Sequence, residues 1–135
     1  MLQIVVPGQP VTKKNSQQIL VNKKTGRPFV SPSKQYKQYK SACAEYLSEI
    51  VDTPIDYPVQ VTCVYYMPTR RRVDLTNLME ATHDILVDYG ILEDDNCRIV
   101  QSVDGSRVDY DKDNPRVDIT ITKVKDGPES PSFDN

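Results

Sequence analysis

VQVTCVYYMPTRRRVDLTNLMEATHDILVDYG, residues 59–90, changes its hydrophobic period part-way along. Val59–Tyr66 is β-branched and aromatic nearly throughout, the composition of a strand. Pro68 and the run Arg70–Arg72 interrupt it. From Leu75 the apolar residues recur at steps of three and four. Leu75, Leu78, Met79, Thr82, Ile85, Leu86 and Tyr89 gather within roughly 120° of a helical wheel, the width of an ordinary buried stripe. The spacing predicts a helix over Leu75–Tyr89, with Gly90 standing where a helix C-terminal glycine belongs. Strand, basic loop and helix in this order place a cationic segment directly before a helix N-terminus.

Working outward, residues 2–6 read as a first strand closed by the turn-prone PGQP, and residues 17–21 and 28–30 as two more, joined by the exposed turn NKKTGRP. Ser33 is a suitable N-cap for a helix over Lys34–Ile50, whose Tyr36, Tyr39, Cys43, Tyr46, Leu47 and Ile50 share one face. Lys34, Lys37 and Lys40 lie near its start, against the helix dipole, which leaves two readings: a neighbouring anion, or simply three solvated lysines. Downstream, Arg98–Val103 and Arg116–Val124 read as strands joined by the turn-rich DGSRVDYDKDNP. The predicted order, β-β-β-α-β-α-β-β, is an α+β domain with a small mixed or antiparallel sheet and two main helices. One domain over residues 1–125 is expected, with 126–135 a disordered tail.

Composition excludes several classes. No apolar run reaches the 18 or so residues of a membrane span, and the apolar start lacks the basic flank and cleavage site of a signal peptide. Cys43, Cys63 and Cys97 form no C-x-x-C pair, which argues against a disulfide framework or zinc site and for a reducing cytoplasm. His83 is the only histidine, so a Ser-His-Asp triad or a His-rich metal site is not expected, and metal chemistry would fall to oxygen ligands. Neither a Walker-type nor a dinucleotide glycine motif is present, so no nucleotide cofactor is implied. Asp109–Asn114 begins like a calcium loop, but Asn114 and Thr120 stand where that loop needs Gly and Glu.

Charge is distributed unevenly. Residues 1–72 hold 11 Lys/Arg against 4 Asp/Glu, whereas residues 73–135 hold 6 against 15. Such a split sets a phosphate-facing part beside a cation-seeking one. On the wheel, Asn77, Glu80, Asp84 and Asp88 form a second arc opposite the apolar stripe, with no basic residue in the helix to relieve the repulsion. A one-sign stripe of hard oxygen donors is what Mg²⁺ or Mn²⁺ requires. Asp74 is equally a candidate N-cap, and Asp94-Asp95 equally a turn. For Asp95 to join Asp74 and the stripe, the chain must run back along the helix.

Residues 73–99, VDLTNLMEATHDILVDYGILEDDNCRI, resemble the signature of RusA-type Holliday-junction resolvases, roughly D-x-D-N-L-x-K, then D-x-L, a glycine and a D-D pair. Asp74, Asn77, Leu78, Asp84, Leu86, Gly90, Asp94 and Asp95 fall on those positions. The opening GQPVTKKN and the lead-in YMPTRRR are similar too, and the likeness extends over about residues 1–124. Thr76 replaces the second aspartate of the motif and Glu80 its lysine. These two are i,i+4 neighbours, so Glu80 can return a carboxylate near the one lost.

The resemblance implies a homodimeric RusA-like fold and a Mg²⁺-dependent endodeoxyribonuclease, with Mn²⁺ as a substitute metal. Its partners would be four-way DNA junctions, nicked symmetrically, in a bacterial or phage-infected cytoplasm. Asp74, Asp95, Glu80 and Asp84 are then the expected catalytic residues. Asp74, Asp95, Asp94 and Glu80 are the metal ligands, and Thr76 and Asn77 support them. Lys13, Lys14, Asn15, Arg70, Arg71 and Arg72 would contact DNA, largely through phosphates. The competing expectations are a non-catalytic protein that binds branched DNA, and a nuclease for flaps or other branched substrates.

Overall fold

Alternation along Val59–Met67 is complete: Val59, Val61, Cys63, Tyr65 and Met67 are buried and the residues between them only partly so. This strand is the centre of the sheet. The computed structural model describes residues 1–13, 18–31 and 34–124. Its elements are β1 (Leu2–Pro7), β2 (Gln18–Val21), β3 (Pro28–Ser31), α1 (Lys34–Leu47), β4 (Val59–Met67), α2 (Leu75–Asp88), β5 (Val100–Ser102), β6 (Arg107–Tyr110) and β7 (Arg116–Lys123). The expected Ser33 cap and the expected tail at 126–135 lie outside the described residues.

β1, β7, β4 and β5 are hydrogen-bonded in that order, with β6 also on β4, and β2 and β3 form a separate two-stranded sheet. β7 runs antiparallel to both β1 and β4, while β5 and β6 run parallel to β4, so the sheet is mixed. Register stacks Ile4, Ile119 and Cys63 in one row and Val6, Val117 and Tyr65 in the next. These rows form the core face of the sheet. Tyr36, Cys43 and Leu47 of α1 and Leu78, Ala81, Thr82, Ile85 and Leu86 of α2 are buried with them. Each fully buried side chain of this size contributes about 1.5–3 kcal/mol through removal from water. Burial pushes the Cys43 and Cys63 thiols up to about 11, so both stay protonated and packed.

Three expectations are corrected. α1 stops at Leu47 rather than Ile50, because Glu49 takes a left-handed φ of 64° and turns the chain. The strand expected over 98–103 is only Val100–Ser102; Ile99 and Val100 instead donate backbone bonds to Asn96 O, as in a helical turn. The segment read as one long turn contains β6. β5 and β6 occupy the same edge of β4 in succession, and the chain bulges out between them. Thr62 Oγ1 donates to Asp104 O at 2.7 Å, and Ser106 Oγ accepts from Cys63 N at 3.0 Å, stitching that bulge to β4.

Candidate active site

Asp74 stands at the N-cap of α2 with extended φ and ψ of −85° and 120°, and its carbonyl accepts from Leu78 N at 3.1 Å. Its carboxylate does not cap the helix. Oδ2 instead accepts from Asn77 Nδ2 at 3.2 Å. The backbone therefore takes the capping position while the side chain is turned outward, held by Asn77. Asp74 is exposed, as are Thr76 and, one helical turn beyond it, Glu80.

The basic loop before Asp74 divides. Arg71 and Arg72 line a cleft of about 220 Å³ with Gln9, Thr12, Gln35, Thr69 and Val73. Arg70 turns to the other side, its guanidinium 4.4 Å from the Tyr110 ring centroid. There it lines a second cleft of about 240 Å³ with Arg71, Val108 and Asp109. Arg72 thus faces the side of the molecule that carries the start of α1, Arg70 is stacked on β6, and Arg71 lines both clefts.

The acidic stripe of α2 is not left to repel itself. Lys13 pairs with Asp84, and Lys40 of α1 pairs with Asp88. Tyr89 Oη donates to the Lys40 carbonyl at 2.6 Å, tying the same two helices. The expectation that nothing basic relieves the stripe holds within the helix but fails across the fold. It also explains the lysines at the start of α1: for Lys40 the neighbouring anion is Asp88. Lys14 and Asn15 lie outside the described residues.

After Gly90, with φ of 76°, the chain doubles back: Ile91 N donates to Leu86 O at 2.9 Å. Asp94 holds its own turn, accepting from Asp95 N at 2.7 Å and Asn96 Nδ2 at 3.0 Å. Asp95 comes close enough to His83 on α2 to act on its imidazole, as does Asp84. The turn after α2 thus lies within electrostatic reach of the helix at His83. His83 was read only as the absence of a triad, yet its spacing puts it on the Thr76–Glu80 stripe. Burial lowers its pKa, with Asp95 and Asp84 opposing, and its buried Nε2 finds no hydrogen-bond partner among the described residues.

The sequence profile described as Endodeoxyribonuclease RusA matches residues 7–122. The chain belongs to the RusA endodeoxyribonuclease family. No curated protein matches it. The match runs from the end of β1 to β7, so it takes in the basic loop, α2 and the Asp94-Asp95 turn together. RusA enzymes cut DNA and act on Holliday junctions, and they generally depend on a divalent metal. Among the described residues no helix is long and apolar enough to cross a membrane.

The metal fit can be judged from the donors. Asp74 offers a carboxylate that the helix does not consume, whereas Asp84 is engaged by Lys13 and Asp94 by its own turn. Among the described residues no three His, Cys, Asp or Glu side chains are gathered as a ready cage. Mg²⁺ does not need one, because it keeps several waters and is commonly bound through one or two carboxylates plus substrate phosphate. The hard oxygen donors and the open arrangement fit that ion better than a closed structural site.

Proposed function

We propose that this RusA-family chain is a Mg²⁺-dependent resolvase that nicks four-way DNA junctions symmetrically as a homodimer, in recombination, repair or phage DNA processing in a bacterial or phage-infected cytoplasm. The observation that carries the reading is the continuity of the basic loop with α2. Arg71 and Arg72 line a cleft open to phosphate, and two residues on from Arg72 stands Asp74 with its carboxylate turned away from the cap.

Asp74 and Asp95 would hold the metal, with Glu80 and Asp94 as the further ligands and Asn77 fixing the Asp74 carboxylate. Bound there, Mg²⁺ would supply Lewis acidity toward the scissile phosphate and toward an attacking water. The protein's share is placement. Arg71, Arg72 and Lys13 would neutralise backbone phosphates and set the strand in register, and Arg70 on Tyr110 offers a flat cationic surface beside it. Asp84 would act in catalysis by holding Lys13 at the helix face. One chain presents one such face, so two symmetric cuts call for two chains. Junction selectivity would come from branch shape and flexibility.

The test is cleavage of a synthetic four-way junction against linear and flap DNA of the same sequence, with Mg²⁺ and with EDTA, at one salt concentration. Paired nicks on the junction alone, abolished by EDTA and by Asp74→Asn, are expected. Equal cleavage of flaps would replace the resolvase reading with a general branched-DNA nuclease. Binding without cleavage would leave a DNA-binding protein.

A further inference from the structure

The β2–β3 hairpin takes no part in the site described above. Its two strands pair only with each other, outside the five-stranded sheet. At four residues each they span about 14 Å, at 3.4 Å per residue. The connecting turn is nevertheless well specified. Asn22 Oδ1 accepts from Lys24 N at 2.9 Å and Thr25 N at 3.3 Å. Gly26 N donates to Asn22 O at 2.7 Å from a φ of 71°, and Asn22 N donates to Arg27 O at 2.9 Å. A side chain at Gly26 would be strained at that φ, so the glycine belongs to the turn.

This ordered turn presents Lys23, Lys24 and Arg27, all exposed. Among the described residues no carboxylate pairs with any of the three. Their neighbourhood in sequence offers none either, since the first acidic residue of the chain is Glu45. Lys13 and Lys40, drawn from the same acid-free segment, have found partners on α2. The hairpin cations are treated differently: they are displayed, with no counter-charge among the described residues.

Their place in the chain is the second observation. Lys13, the last described residue before the hairpin, is paired to Asp84 on the acidic helix. Gln35, at the start of α1 just after it, lines the Arg71–Arg72 cleft. In sequence the hairpin is thus bracketed on both sides by residues of the candidate site.

We propose that the 22–27 turn is a second nucleic-acid contact, in which Lys23, Lys24 and Arg27 grip backbone phosphates of a DNA arm adjoining the cleavage site. The inference rests on the junction-binding reading above. Three phosphates neutralised together release their counterions, so the contact must appear in the salt dependence of binding.

The experiment measures affinity of the full chain for a synthetic four-way junction in EDTA across a salt series. It compares wild type, the triple variant Lys23→Gln/Lys24→Gln/Arg27→Gln, and the charge-keeping variant Lys23→Arg/Lys24→Arg/Arg27→Lys. The triple Gln variant is expected to bind more weakly and to lose about 2 to 3 from the slope of log K against log salt, at roughly 0.9 per phosphate contact. The charge-keeping variant is expected to retain the wild-type slope. An unaltered slope in a triple Gln variant that melts like wild type overturns the hairpin contact while leaving the resolvase reading in place. Loss in both variants alike points to the turn's shape and also overturns it. A wild-type chain with no salt-dependent junction binding removes both readings together.

Discussion

Glu80 and Thr76 are where this chain departs from the motif it otherwise resembles, and both are exposed, with the partly buried His83 one turn beyond Glu80. If Glu80 returns the carboxylate that Thr76 lacks, Glu80→Gln should slow junction cleavage by at least about 10²-fold, the scale on which a single acid–base group acts, while junction affinity in EDTA is kept. Thr76→Asp placed on top of it should recover much of the loss. Full activity of Glu80→Gln alone would end the compensation argument. His83 carries a prediction of its own. Its native pKa is lowered by burial, against the opposing pull of Asp95 and Asp84. The unfolded chain then takes up this proton at a higher pH than the native one. The histidine's contribution to stability is complete above about pH 6.5 and is lost as pH falls through the native value. Melting temperatures at about pH 7.5 and 5.5 should therefore differ less in His83→Gln than in wild type. An equal difference in the two proteins would show that other groups carry the acid sensitivity.

At the scale of elements, what could be read in advance was whatever announced itself by local composition or period. β4 did by its β-branched and aromatic residues and α2 by its three-four stripe, and Gly90 marked the helix end correctly. β6 did not. Arg-Val-Asp-Tyr is too short to show a period and sits among turn-forming residues. It is a strand because the free edge of β4 beyond β5 offers backbone partners, a fact settled by residues more than forty positions away. The bulge that realigns the chain between β5 and β6 depends on Gly105, at φ of 85°, where an added Cβ would meet Thr62 Cγ2 at 3.3 Å. Gly90 is also left-handed, at φ of 76°, but has open space around its Cα. Gly90→Ala should thus cost about 1–2 kcal/mol from the backbone alone. Gly105→Ala should cost more, since Thr62 must shift and its bond to Asp104 O is put at risk. Chemical denaturation of the two variants checks the order. A Gly105→Ala protein as stable as Gly90→Ala would mean that the Thr62 contact relaxes freely.

Across the whole molecule, the charge asymmetry that sequence displayed as two blocks is partly folded onto itself. The site's donor types were visible in sequence, but their state was not, because Lys13 and Lys40 reach α2 only through tertiary structure. Lys13 lies 71 positions from Asp84 and also sits 5.7 Å from the Tyr36 ring centroid, so it is held between the acidic helix and α1. A lysine so placed has two anionic claimants once DNA is present: the carboxylate and a phosphate. Both side chains remain partly exposed, at 28% and 37%, so the pair itself is worth only about 0.2–1 kcal/mol to folding. Its larger effect should fall on binding. Asp84→Asn frees Lys13 and removes a negative charge from the helix face, so junction affinity in EDTA should rise. Lys13→Gln should lower it. In the double variant the gain from Asp84→Asn should shrink, because the cation it would have released is gone. The double-mutant cycle on junction affinity, repeated at two salt concentrations, reads this coupling directly, and the coupling should weaken as salt rises. Strict additivity at both concentrations would show that Lys13 stays on the protein side of the interface, leaving phosphate neutralisation to Arg71, Arg72 and the hairpin.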